Sequence, residues 1–204
     1  MLLSITKQVE QKINRMQSGK IFFISDFASF SNDTAVRQAL IRLANSKEIV
    51  NISQGIYYKP LIDKKLGVVY PSVTQLAQAI ARRDKARIIA TGSFAMYKLG
   101  LTTQIPMNIV YLTDGSARKI QVKRMKITFK KTSPKNLAVQ HEFTGLLIQA
   151  LKEIGEKNIT AKEKTHIKKI IIQNGEFKKI KENIVFAPVW IQKIIIQIIN
   201  SIKK

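Results

Sequence analysis

No cysteine occurs in the 204 residues, so disulfides and thiolate metal sites are excluded and nothing points to an oxidising compartment. Histidine is nearly as scarce, with His141 and His166 in separate segments that lack metal-ligand spacing. Asp84 and Asp114 have no neighbouring carboxylate with which to build a two-metal nuclease or nucleotidyltransferase site. A phosphate-cradling glycine loop of the Walker type is missing too. These absences predict a protein that is not an enzyme and that holds no metal and no cofactor. The opening Met1-Leu2-Leu3-Ser4-Ile5 turns polar before it reaches the length of a signal-peptide core. The most apolar stretch, Val185 to Ile202, is broken by Pro188, Gln192, Lys193 and Gln197. It falls short of the about 20 predominantly apolar residues of a membrane span. A soluble, cytoplasmic protein with no membrane association is the expectation.

Acidic side chains are the remaining scarcity. Against 13 Asp+Glu stand 35 Lys+Arg, a formal net charge of +22. A field of that sign attracts polyanions, whether nucleic acid, anionic surface or acidic protein. The alternative reading of the excess is an AT-rich genome, which enriches Ile and Lys without any partner. The charge is uneven: residues 1–60 carry eight basic and four acidic side chains, whereas residues 115–150 carry eight and one.

In the first segment, Ile5, Val9 and Ile13 recur at helical spacing after Ser4, and Ser18-Gly19 ends the pattern. Ile21 to Ile24 reads as a short strand, and Ser25-Asp26 as the start of a second helix. Ser31, Asn32 and Asp33 are candidate caps for a third helix to about Ser46, with Val36, Leu40 and Leu43 facing inward beside Ala39. Ile49 to Ile52 and Ile56 to Tyr58 flank Ser53-Gln54-Gly55 as a hairpin. Helix, strand, helix, helix, hairpin is the order of a winged helix, whose third helix enters the DNA major groove. Thr34, Arg37 and Gln38 are placed to read bases, since Arg pairs with guanine and Gln with adenine through two hydrogen bonds each. Arg42 suits a phosphate, and Gln54, Tyr57 and Lys59 on the hairpin suit backbone or minor groove. The plain alternative is a small solvated domain used for protein contacts.

Further on, Leu61 to Tyr70 reads as a linker or short strand, and Pro71-Ser72 opens a helix to about Arg83. A strand at Arg87 to Ala90 is followed by a helix capped by Thr91 and ended by Gly100. Asn108 to Thr113 is a strand, and Asp114-Gly115 a hairpin turn before strands near Lys119–Val122 and Lys126–Phe129. Residues 115–135 hold Arg118, Lys119, Lys123, Arg124, Lys126, Lys130, Lys131 and Lys135 with no acid. Interleaved with Ile120, Val122, Ile127 and Phe129, they predict a sheet with one buried and one cationic face. That face fits a second polyanion or an acidic partner, or is an edge kept basic against strand pairing. Phe129 stands nearly alone there, which argues against an RNA-stacking platform. Helices follow from Glu142 to about Ile154 and after the capping box Thr160/Glu163, where Ile167, Ile170 and Ile171 point inward before Asn174-Gly175. A last helix opens near Pro188, with Ile191, Ile194, Ile195, Ile198, Ile199 and Ile202 on one stripe.

Gly55-Ile56-Tyr57-Tyr58-Lys59-Pro60, Thr91-Gly92-Ser93-Phe94-Ala95, Leu99-Gly100-Leu101-Thr102-Thr103-Gln104-Ile105-Pro106 and Tyr111-Leu112-Thr113-Asp114-Gly115 carry a resemblance. Over roughly residues 1–150 the chain resembles the AbiEi-like antitoxin and transcriptional-regulator family of bacteria, type IV toxin–antitoxin systems that act in abortive infection, a phage defence. The resemblance implies a winged helix bound to the operon's own promoter. It also implies a second domain that helps repress and counteracts a nucleotidyltransferase-type toxin encoded nearby. Ala39-Leu40-Ile41-Arg42-Leu43 is similar to the family's recognition-helix pattern and supports Arg42 as a contact.

The expected fold is α+β: a winged helix-turn-helix over 1–60, a small α+β domain with basic strands over 66–135, and a helical region over 136–204 packing on it. The expected function is a DNA-binding, self-repressing regulator that acts as an antitoxin, with double-stranded DNA and a neighbouring toxin as partners. An oligomer on an inverted-repeat operator is compatible with this. The alternatives are a protein-binding scaffold and a nucleic-acid binder without sequence preference.

Overall fold

A computed structural model describes residues 4–202; the reading of Met1-Leu2-Leu3 lies outside them. The fold is α+β, and the chain divides into two compact units, one up to Ile80 and one from Ala81.

In the first unit, helix α1 (Ile5–Asn14) is capped by the Ser4 hydroxyl, which accepts the Lys7 N–H, and it buries Val9 and Ile13. Strand β1 (Ile21–Phe23) leads into a single 3-10 turn, Ile24–Phe27. The helix expected after Ser25-Asp26 is thus reduced to one turn, in which the Asp26 carboxylate accepts the Phe23 N–H at 2.8 Å. Helix α2 (Asp33–Asn45) starts at Asn32, whose side-chain oxygen accepts the Ala35 N–H at 2.9 Å. Its inward residues are Val36, Ala39, Leu40 and Leu43, as their 3.6-residue periodicity predicts. They share a core with Val9, Ile13, Phe22, Phe27, Ile49 and Tyr57.

Strands β2 (Val50–Ser53) and β3 (Ile56–Tyr58) form the expected hairpin, turned at Gly55 with φ +72°. The sheet order is β1-β3-β2, all antiparallel, so β3 is central and all three of its residues are buried. Residues 61–70, read as a linker or short strand, form a second hairpin of β4 (Leu61–Asp63) and β5 (Gly67–Val69). Its turn is held by Asp63, whose carboxylate accepts the N–H groups of Lys65 and Leu66. The Tyr58 hydroxyl donates to the Val69 carbonyl at 2.6 Å. Helix α3 (Val73–Arg83) follows, with Ser72 and Gln75 bonding reciprocally at its start.

The second unit holds a four-stranded sheet of β6 (Ile88–Thr91), β7 (Asn108–Thr113), β8 (Arg118–Val122) and β9 (Met125–Lys131), in the order β6-β7-β9-β8. This corrects the hairpin expected at Asp114-Gly115. β7 pairs in parallel with β9, and β8 lies beyond it, so the chain crosses over instead of turning back. Asp114 instead accepts two hydrogen bonds from Arg87, from the backbone N–H at 2.7 Å and from Nε at 2.8 Å.

Helix α4 (Ser93–Lys98) is capped by Gly92, not by Thr91 as expected. Thr91 belongs to β6 and gives its hydroxyl to Gln149 at 3.0 Å. Gly100 ends the helix at φ +67°, as expected. Helix α5 (Glu142–Ile154) lies against β6, with Gly145 beside the Ile89 side chain. Helix α6 (Ala161–Asn174) begins with the Thr160/Glu163 capping box and ends at Gly175. A short α7 (Phe177–Asn183), not anticipated, precedes α8 (Val189–Ile202). The α8 stripe buries Ile191, Ile195, Ile198 and Ile199. Among the described residues no helix is long and apolar enough to cross a membrane.

Candidate nucleic-acid interface

Four buried residues of α2 fix what its opposite side presents. At about 100° per residue, the side away from Val36, Leu40 and Leu43 is centred on Thr34, Gln38, Ile41 and Asn45. Arg37 and Arg42 fall on its two flanks. All six are exposed, Ile41 at 52 %, so a polar stripe with one branched apolar side chain runs the length of the helix between two cations. Ile41 and Asn45 were not singled out in the sequence, although seven and eleven residues from Thr34 is the same periodicity that placed Gln38. Arg37 approaches the hairpin strands: burial pushes the Tyr57 phenol above its usual value, while the Arg37 charge and a hydrogen bond with Asn51 act in the opposite direction.

The hairpin residues divide. Gln54 is exposed at the turn. Tyr57 is only 4 % exposed and stacks on Phe22 at 5.7 Å between ring centroids. It is a core residue and has no face to offer a DNA groove, which corrects its assignment as a contact. Lys59 is corrected as well. Its ammonium donates to the carbonyls of Ile13, Asn14 and Met16 at 3.0, 2.9 and 2.7 Å, closing the open end of α1.

The basic strands of the second unit sort by register. Lys119 lies opposite Thr128 and Gln121 opposite Lys126, so Lys119, Lys126 and Lys130 share one face of the sheet. That face is not uniformly cationic. At the β6 side α5 covers it through Gly145 on Ile89 and Gln149 on Thr91, leaving the lysines on the β8–β9 half. On the other face Tyr111 meets Phe94 and Phe129, at 5.9 Å each. Arg118 points to that second face and pairs with Asp84, which also holds Arg83 at 2.9 Å, so it is not part of the cationic face. Lys123 and Arg124 form the exposed β8–β9 turn, and Lys131 is exposed at the end of β9. Beyond the sheet, burial and the Lys135 charge hold the Lys152 ammonium below its ordinary value.

One set of side chains has the order of a nucleophile triad. His141 Nδ1 lies 2.8 Å from the Thr144 hydroxyl and its Nε2 2.9 Å from the Glu176 carboxylate. Thr144 is fully buried, so no substrate reaches it, and the group fastens the start of α5 to the start of α7. Among the described residues no three His, Asp or Glu side chains gather in a way that would hold a metal ion.

Fold and surface together define a two-unit α+β protein with an exposed, cation-flanked helix face in one unit and a half-sheet of lysines in the other. The chain belongs to a family of unknown function, DUF6088, which it matches over residues 8–184. Comparison with curated proteins finds no match. Among solved structures the chain is similar to the RV2827C protein from Mycobacterium tuberculosis, at 11 % identity and a TM-score of 0.47, over 96 % of this chain and 76 % of that one. That likeness is too distant to bear on function.

Proposed function

We propose that the chain is a sequence-specific DNA-binding regulator in which the first unit is a winged helix and α2 is its recognition helix. The observation that carries this reading is the outward stripe of Thr34, Gln38, Ile41 and Asn45 between Arg37 and Arg42. Gln and Arg are the residues that pair in bidentate fashion with adenine and guanine, and an exposed Ile suits a thymine methyl group. The β2–β3 hairpin beside the helix is the wing, with Gln54 at its tip. The lysines of the second unit add attraction for phosphate without sequence information. Resemblance to AbiEi-like antitoxins supports extending the reading to a self-repressing antitoxin, acting on a toxin encoded nearby and binding an inverted repeat as an oligomer.

The test is a salt-titrated comparison of the full chain on its own upstream DNA and on a scrambled duplex of equal length. A preference of about a thousandfold or more at physiological salt, the lower range for specific regulators, is the expected result. Replacing Gln38 or Arg37 by Ala then costs about 1–3 kcal/mol on the specific site and much less on the scrambled one. Equal, steeply salt-dependent binding to both duplexes overturns the reading, because the charge alone produces that behaviour.

A further inference from the structure

The β4–β5 hairpin is apolar where an exposed hairpin is ordinarily polar. Leu61, Ile62, Leu66, Val68 and Tyr70 are exposed at 44, 74, 80, 39 and 48 %. The hairpin has two sides. Leu61 lies 3.8 Å from the position a Cβ on Gly19 would take, and the Val69 carbonyl accepts the Tyr58 hydroxyl, so that side rests on the first unit. The pairing Ile62 with Val68 puts both side chains on the other side. There they line one wall of a cleft of about 680 Å³, whose opposite wall is the end of α2 and the start of β2. That volume lies in the range of preformed small-molecule pockets, about 300–1,000 Å³, and so has room for a few large side chains.

Charge decides the occupant. Lys47 lies on the cleft wall, and Lys64 and Lys65 stand at the hairpin tip; none of the three has an ion-pair partner among the described residues. Two local carboxylates, Glu48 on the cleft wall and Asp63 at the hairpin turn, are held by neutral donors, the Ser46 hydroxyl and two backbone N–H groups, and are outnumbered by these lysines. A second copy of a chain carrying +22 would bring the same lysines to the rim and be repelled. We propose that the cleft between the end of α2 and the β4–β5 hairpin docks a segment of a partner protein that is both acidic and apolar. Its Leu-, Ile- or Phe-type side chains enter against Ile62 and Val68, and its carboxylates meet Lys47, Lys64 and Lys65. The site meets the polar stripe of α2 only at Asn45, which borders both, and docking there does not depend on the chain's binding DNA.

The experiment selects short random peptides, displayed on phage, against the full-length chain. Peptides that combine Asp or Glu with large apolar residues are expected to be enriched, and a synthetic copy to bind the chain in solution. Ile62→Lys and Lys47→Glu are each expected to weaken that binding by about tenfold or more, as loss of a central contact does. Ile105→Lys, an exposed residue of the second unit, leaves it unchanged. Ile62→Ser gives a readout without added charge, and an unaltered unfolding midpoint shows that each variant folds. Absence of acidic-apolar enrichment, or selected peptides indifferent to Ile62, overturns the proposal. Ile62-dependent self-association in sedimentation velocity overturns it too, by giving the cleft to a second copy.

Discussion

Lys59 sends its ammonium to three carbonyl oxygens, those of Ile13, Asn14 and Met16. These belong to the groups that a helix end leaves without partners, and a cation there also meets the negative end of the helix dipole. Hydrogen bonds to a charged group contribute about 1.5–3 kcal/mol when they are not solvent-screened. Lys59 is half-buried, so Lys59→Met is expected to lower stability by about 1–3 kcal/mol in urea unfolding. On the proposed DNA-binding reading, the same change leaves the salt dependence as it was, because an ammonium held by three carbonyls neutralises no phosphate and so releases no counterion. A fall of about one in the log–log salt slope would return Lys59 to the DNA. Tyr57 and Lys59 read as groove contacts in the sequence because a three-residue strand shows no alternation from which to tell its buried side. Contacts distant in sequence decide it: β1 sets Phe22 opposite Tyr57, and the end of α1 takes the Lys59 ammonium, each more than thirty residues earlier.

At the level of elements, the crossing from β7 to β8 sets the sheet order. A Cβ added to Gly115 would stand 2.7 Å from the Ala86 Cβ, an atom with no torsion by which to withdraw. Gly115→Ala is therefore expected to cost about 1–3 kcal/mol, the usual range for overpacking. Ala86→Gly in the same chain should return most of that loss in a double-mutant cycle, and an additive result would refute the contact. Asp114 beside it tests the same crossing by pH. The Arg87 side chain and the Arg87 backbone N–H hold its carboxyl below the ordinary carboxylate value. The folded state thus favours the ionised form, and the contribution is complete above the unfolded value of about 4 and fades as pH falls below it. Wild type is accordingly more stable than Asp114→Asn near neutral pH, and the gap narrows below about pH 4. A gap that does not change with pH would deny the carboxylate that role. Asp-Gly is a strong local turn signal, and local signals carried most of the helices: Ser4, Asn32 and the Thr160/Glu163 box cap where the sequence indicates. They do not carry strand order, since β7 pairs with β6 on one side and with β9 on the other, where Ile109 and Tyr111 are buried beside Ile127 and Phe129.

For the whole molecule, a net charge of +22 is legible from composition, but the faces that share it are not. The α2 stripe follows from helical spacing alone. The sheet lysines needed the register, which brings Lys119, Lys126 and Lys130 to one face and sends Arg118 to Asp84. The two surfaces should therefore separate in a binding experiment. Each phosphate neutralised by a cation steepens the dependence of log K on log salt by about 0.9 on duplex DNA. Changing Lys119, Lys126 and Lys130 together to Gln is expected to flatten that slope by about two to three. The ratio of specific to scrambled binding stays the same, since phosphate contacts carry no sequence information. Gln38→Ala does the converse, lowering the ratio while the slope holds. If the triple change leaves the slope untouched, the sheet lysines do not meet DNA, which leaves that surface to an acidic partner or to guarding the sheet edge. If it lowers the ratio as well, the second unit takes part in sequence recognition and α2 is not the sole reader.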